Sequence, residues 1–392
     1  SSTNSSSTNK QRQLCSFILT RQPDQKILAR AVDILKDWLV YLLGVGIITV
    51  TLADVFMTVL FPRSSNRTLS RLLSKGTWRL FCGASKLPVV GSGVLSYCGS
   101  AILIVIVVFW VCALTLGFAV LVWPTLGSGI QSSQGDTPTD FATALYYSGY
   151  TITTLGIGDL VPTSTWWRMM TVLEAALGFS VITATITYLL SVYNALTRRN
   201  AFALSLYHRS TNGADAVHLL VQMKGFGQFE MATQNISDIT RDLLFLLESY
   251  HAYPVIHYFR FREAKYSLAR IALISLDLAT LINTALAPKP YQPLIGSSAV
   301  TELENGGLNL LNQITNSFLG QGVLEQSSCK PDWRKRYFNA IEYLQKHGIE
   351  VVDDLESGAD QYVAYREQWD QIVVGLAKYM KYSWHQINSS NE

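Results

Sequence analysis

Three long apolar runs, at residues 38–61, 101–123 and 169–193, alternate with polar stretches, and past residue 198 the pattern changes to amphipathic periodicity. At 1.5 Å per residue each run is long enough to cross about 30 Å of hydrocarbon, so three membrane helices are expected. A fourth apolar stretch, 268–287, contains Arg270 and Asp277. Charges are expensive in lipid, and this stretch reads as a buried helix of a soluble domain. Between the second and third runs, Thr137-Pro138-Thr139 leads into Asp140, a good cap for a helix over 141–152 that is too short to span. Later helical windows fall at 213–223, 237–251, 261–287, 299–319, 332–347 and 360–384, with Ser237 as a cap and Gly348 as a stop. No alternating run suggests a sheet. The expected fold is an all-α membrane protein with a helical C-terminal domain. Its expected divisions are a tail at 1–37, a membrane helix with a basic amphipathic helix at 38–94, a pore-loop segment at 95–197 and a helical domain at 198–392.

Composition agrees with the membrane class: 49% of the residues are apolar and 15% charged. The connector between the first two runs holds Arg63, Arg67, Arg71, Lys75, Arg79 and Lys86 and no acid, which places it on the cytoplasmic side. The first run then either spans with its N-terminal end outside or lies as a re-entrant or peripheral helix, and the segment 124–167 that joins the second and third runs reaches in from outside. Asp54, inside the first run, is expected to pair with an arginine of the connector. Arg67, Arg71, Lys75 and Arg79 recur every four residues opposite Leu69, Leu72, Leu73, Leu80 and Phe81. Such a helix lies on the membrane surface, in contact with lipid headgroups; interleaved Ser and Gly argue against a voltage sensor. Residues from 198 onward carry 18 basic and 20 acidic side chains out of totals of 31 and 28, so there is no case for a nucleic-acid partner.

The five cysteines, Cys15, Cys82, Cys98, Cys112 and Cys329, have no paired spacing and imply no disulfide framework. The Ser/Thr/Asn-rich start lacks the apolar core of a signal peptide.

The segment Thr153-Thr154-Leu155-Gly156-Ile157-Gly158-Asp159 follows the short helix. Stripping water from a cation takes stacked rings of oxygen, and backbone carbonyls supply them where residues tolerate left-handed dihedrals, as Gly156 and Gly158 do. Thr154 adds a hydroxyl. The half-helix before it would point its negative end toward a central cavity.

At these residues the chain resembles the pore domain of potassium channels, over about 101–193. The resemblance implies K+ bound at the carbonyls of Thr154, Leu155, Gly156, Ile157 and Gly158, with Thr153, Asp159, Tyr146, Tyr147 and Tyr150 as filter support. It also implies a homotetramer, because one chain carries one pore loop. Gly178 stands at a hinge position, and Ile182, Ile186 and Leu190 form a stripe on the pore side suited to a gate. Leu155 and Ile157 depart from the usual valine and tyrosine, which leaves a potassium-selective and a non-selective cation channel both open. Glu174, one turn before Gly178, is expected either behind the filter, bonded to Tyr150 or another pore-helix residue, or facing an external vestibule.

In the helical domain, Gly225-Phe226-Gly227 lacks the rest of a dinucleotide fingerprint. Glu248 and His251, with His257 nearby, resemble half of a helical metal site and read as structural. Asp353, Asp354, Glu356 and Asp360 read as a solvated linker. No nucleophile, base and orienting group make an enzyme, and no cofactor is expected beyond permeant K+. The expected location is the cell membrane with the C-terminal domain in the cytoplasm; the rival reading is a membrane-anchored scaffold or sensor that does not conduct.

Overall fold

A computed structural model describes residues 23–61, 69–87, 91–211, 213, 215–224, 230–317 and 332–388. Helix α1 (Pro23–Val55) continues through a π turn at Phe56–Leu60. It is followed by α2 (Leu69–Ala84), α3 (Cys98–Val122), β1 (Ile130–Ser132), α4 (Phe141–Ile152), β2 (Leu160–Pro162) and α5 (Thr165–Arg209). The helical domain adds α6 (Ala216–Met223), α7 (Glu230–Ala252), α8 (Leu268–Ala285), α9 (Pro288–Ile295) and α10 (Ser298–Ser317). It ends with α11 (Trp333–Lys346), α12 (Leu355–Glu367), α13 (Asp370–Tyr379) and α14 (Trp384–Asn388).

Among the described residues, four helical segments are long and apolar enough to cross a membrane: Ile34–Leu60, Ser92–Thr125, Thr165–Arg209 and Leu268–Ala285. In the first three, 28–39% of the apolar window is buried, against 94% in the fourth. Protein therefore surrounds α8, and the other three present apolar flanks that need lipid or another chain. Helix α1 begins at Pro23, so part of the expected tail is helical.

Among the described residues, contacts group those up to 61 with 106–186, and those within 62–105 with those from 187 onward. These units cut across the divisions drawn from composition, because helix pairing rather than hydropathy decides them. In the first unit α1 runs antiparallel to α3, with Gly44 beside Leu121, Ile48 beside Gly117 and Asp54 beside Trp110. A Cβ at Gly44 would lie 2.8 Å from Leu121 Cγ, and one at Gly117 would lie 2.7 Å from Ile48 Cγ1. Small residues let the two backbones approach, as membrane helix pairs require. Asp54, 5% exposed, accepts a 2.8 Å hydrogen bond from the fully buried Trp110 indole. The indole is a partner that reading the connector's arginines overlooked; Arg63 and Arg67 lie outside the described residues.

The short antiparallel pair β1–β2, with Gln131 opposite Val161, corrects the expectation of no sheet. Strands of three residues are too short to display alternation.

In the second unit α8 is the centre, with every residue buried but Asn283, and α6, α10, α12 and α13 pack around it. Ser267 caps it by accepting from Arg270 N, so the helix starts later than residue 261. Ser237 lies inside α7 rather than capping it. The window 360–384 breaks into α12, α13 and α14, with Trp369 at φ −133° and ψ −20° in the break. Gly348, at φ +69°, follows α11 as the expected stop. The acidic stretch is structured rather than a solvated linker: Asp354 caps α12, while Glu356 and Asp360 both pair with Arg334.

Helix α2 buries Ser70, Ser74, Thr77 and Trp78, with Trp78 stacked on Tyr379 at 5.8 Å. Leu72 and Leu80 are 69% and 74% exposed. Its small polar face is the one that packs against protein, and its leucines point away.

Candidate ion-permeation site

The site is assembled from α4, the loop 153–159, β2 and the first turns of α5. Asp140 starts α4 by accepting from Thr143 N at 2.9 Å and Thr143 Oγ1 at 3.0 Å. Those bonds hold its carboxyl below the usual carboxylate range, so it stays ionised at the positive end of the helix. The helix ends at Ile152, and Leu155 N reaches back to Tyr150 O at 2.9 Å. The chain then alternates in handedness. Thr154, Gly156 and Gly158 have φ of 57°, 59° and 82°, whereas Leu155 and Ile157 are not left-handed. A backbone that alternates in this way turns successive peptide groups to one side, the geometry a column of carbonyl oxygens requires. Neither glycine has a heavy atom near its virtual Cβ, so the constraint on them is the dihedral and not space. Leu155 and Ile157 are 68% and 51% exposed within the chain.

Three tyrosines of α4 stand behind the loop. Tyr150 packs against Tyr146 and Tyr147 with ring centroids 5.2 and 5.3 Å away. Its hydroxyl donates to Leu160 O at 2.8 Å, directly after the loop. Tyr146 hydrogen-bonds Asp159, and Asp159 Oδ1 accepts from Leu160 N at 2.9 Å. Tyr147 shares a 2.6 Å hydrogen bond with Thr171 of α5, and Thr153 Oγ1 donates to Gly149 O at 2.7 Å. The sequence placed Tyr150 among the supporting residues but not its bond to Leu160; a tyrosine ten residues before an edge strand carries no pattern that announces the partner.

Glu174 is 2% exposed and lies beside Ser148 of α4, not Tyr150. Its buried position excludes the external-vestibule alternative. Oε1 of Glu174 has no hydrogen-bond partner in the protein. Gly178 sits inside unbroken α5, where a Cβ would come within 2.2 Å of the Ile152 carbonyl oxygen, so its evident local role is close packing against the end of α4. Ile182, Ile186 and Leu190 are 41%, 54% and 62% exposed.

In the helical domain, Glu248 and His251 are exposed and His257 is buried among tyrosines, so the three do not converge. Gly225-Phe226-Gly227, Cys15 and Cys329 lie outside the described residues. Cys82, Cys98 and Cys112 are free thiols. The densest polar cluster is one the sequence reading did not find. Asp277 accepts from Arg366 at 2.7 Å, Arg336 at 2.6 Å and the Tyr362 hydroxyl at 2.6 Å, all around buried α8. Burial alone would raise the Asp277 carboxyl, but the two guanidiniums bring it down to about 2. Its only sequence signal was a lone acid in an apolar helix.

Residues 102–195 match the family model described as Ion channel. The chain is also 27% identical over 308 residues to a protein of Bacillus subtilis (strain 168) described as uncharacterized membrane protein YdjJ, covering 79% of this chain and 87% of the relative. No solved structure matches. With capped half-helix, alternating loop and flanking membrane helices in place, this segment is a pore-loop ion-channel module in an all-α membrane protein.

Proposed function

We propose that four copies of this chain form a ring that conducts potassium passively across the cell membrane, with residues 198–392 in the cytoplasm. The observation that carries the reading is the alternation at Thr154, Gly156 and Gly158 directly after a capped half-helix. Four such loops around an axis offer stacked carbonyl rings in place of water. The exposed apolar side chains Leu155, Ile157 and Phe179 support the ring, since a neighbouring chain would cover what this one leaves bare. Ile186 or Leu190, repeated four times, would close the pore by dewetting. The outward leucines of α2, with exposed Lys75 and Arg79, suit contact with lipid headgroups. Neither a nucleic acid nor a cofactor enters this reading, and the permeant ion is its only small species.

The test is ion flux through the full chain in liposomes under potassium or sodium gradients, with barium as blocker. Barium-sensitive potassium flux that sodium does not replace, abolished by Gly156→Val, is the expected result. Equal sodium flux would make it a non-selective cation channel. Flux unaffected by Gly156→Val would overturn the assignment of the filter.

A further inference from the structure

Glu174 also lines a cavity. It is about 470 Å³ in volume and is walled by α1, α3, the start of α5 and Tyr147 of the half-helix. That is within the roughly 300–1,000 Å³ usual for small-molecule sites. Trp38, Tyr41, Phe118 and Trp167 make its walls aromatic, and Glu174 is the carboxylate among its lining residues. Three of the lining hydroxyls are already engaged: Thr171 Oγ1 donates to Trp167 O at 2.7 Å and meets Tyr147 Oη at 2.6 Å, and Thr125 Oγ1 donates to Val122 O at 2.7 Å. Glu174 is 2% exposed, its Oε1 has no hydrogen-bond partner, and Ser148 is the polar neighbour of its carboxyl. A group so placed costs desolvation without return unless a donor reaches it.

We infer that this cavity is an intramembrane binding site for a single-chain amphiphile whose head carries a hydrogen-bond donor, an amine in the simplest case, with the head on Glu174 and the chain between α1 and α3. The tryptophans at its rim suit entry from the interfacial region, where one end of such a molecule is wet and the other apolar. The walls reject a strongly hydrated or anionic head, because the acceptor at the base is a carboxyl. Occupancy would bear on the filter through Ser148 and Tyr147, both on the half-helix that carries the loop.

The experiment is photo-crosslinking on the full chain in phosphatidylcholine liposomes, with octadecylamine carrying a mid-chain diazirine and, for comparison, the equivalent methyl ester without a donor. The expected result is saturable labelling of peptides covering 38–45 and 167–174, competed by unlabelled octadecylamine, with the amine favoured over the ester at least tenfold. Val45→Trp, which fills the cavity, should cut that labelling at least tenfold while helix content and oligomer size stay as in the parent. Glu174→Gln should retain labelling and lose the preference for the amine. Labelling that does not saturate, that spreads evenly over lipid-facing residues, that ignores the head group or that survives Val45→Trp overturns the inference. Labelling needs no conduction, so a chain that passes no ions would sink the channel reading and leave this one standing or falling by its own data.

Discussion

Replacing Gly178 with alanine separates two roles for that residue by the sign of one measurement. A Cβ there would sit 2.2 Å from the Ile152 carbonyl oxygen, and real contacts essentially never fall below 3.0 Å, so α5 and the end of α4 must part by at least 0.8 Å. The atom struck is backbone, which no rotamer change can move. Overpacking of this kind costs about 1–3 kcal/mol, and the upper end applies when the obstacle is rigid. Against it stands the gain of about 1 kcal/mol for alanine over glycine inside a helix. The net is a loss of about 2 kcal/mol per chain, roughly thirtyfold in an equilibrium. Because Ile152 ends the helix that carries the loop, the displacement also reaches residues 153–159.

A hinge makes the opposite forecast for stability. If Gly178 serves only as a flexible point, alanine stiffens α5 and raises the melting temperature, even as it hinders opening. Thermal unfolding in detergent, followed by tryptophan fluorescence beside liposome flux, tells the two apart. A lowered melting temperature together with reduced flux is expected, and combining the change with Ile152→Ala should not rescue it, since the side chain is not the nearest obstacle. A raised melting temperature would refute the packing argument.

Tyr150→Phe removes the 2.8 Å bond to Leu160 O and should shift occupancy of the conducting arrangement about fivefold, near 1 kcal/mol, read as open probability in single-channel records. Asp277→Asn breaks a buried pair and leaves Arg366 with the 3.2 Å contact to Asp370 as its remaining ion pair, so unfolding in urea should lose about 3 kcal/mol, the lower end for breaking such a pair; Trp333 and Trp369, with the Arg366 guanidinium 3.9 and 4.3 Å from their rings, report it by fluorescence. Two buried groups oppose each other in mild acid. Burial, with Arg199 adding to it, pushes His257 down to about 3, so its stability is present above about pH 6.5 and is lost as pH falls toward 3. Burial pushes Asp370 up to about 6, so its contribution runs the other way, falling as pH rises from about 4 to 6. From pH 7.5 to 5 these amount to about 2 kcal/mol lost against about 1 gained, so the parent should weaken slightly; His257→Gln should instead gain stability on acidification, and a urea midpoint that falls in both alike would refute the assignment.

What the sequence disclosed was local. The half-helix was legible to the residue, because Asp140, twelve residues and the glycine alternation all lie within twenty positions of one another. The partners of Asp54 and Asp277 were not: Trp110 stands 56 residues away and Arg366 89 residues away, and nothing in either stretch marks the other. Helix α2 inverts the apolar-inside rule. Its leucines were read correctly as one face, yet the serines and threonine of the other face, with Trp78, are what the protein buries. The long window at 360–384 failed for a subtler reason, a break at Trp369 that no proline or glycine announces.

The side chains at the middle of the loop contribute nothing polar to its support. Leu155 and Ile157 can neither donate nor accept, so the side-chain hydrogen bonds that brace the loop come from its two ends and from α4: Tyr150 to Leu160 O, Tyr146 with Asp159, Leu160 N to Asp159 and Thr153 to Gly149 O. Most of these anchors gather at the outer end of the loop, where Asp159 and Leu160 are held by two tyrosines one helical turn apart. The inner end is held by backbone bonds, Thr154 N to Thr151 O at 3.0 Å and Leu155 N to Tyr150 O at 2.9 Å, and by the contact of Gly178 with Ile152. Between them, Gly156 and Ile157 keep their dihedrals with no side-chain hydrogen bond of their own. Rigidity at the middle carbonyls is therefore inherited from the two ends, which makes Tyr150 and Gly178, not Ile157, the positions where the loop's geometry is most sensitive to substitution.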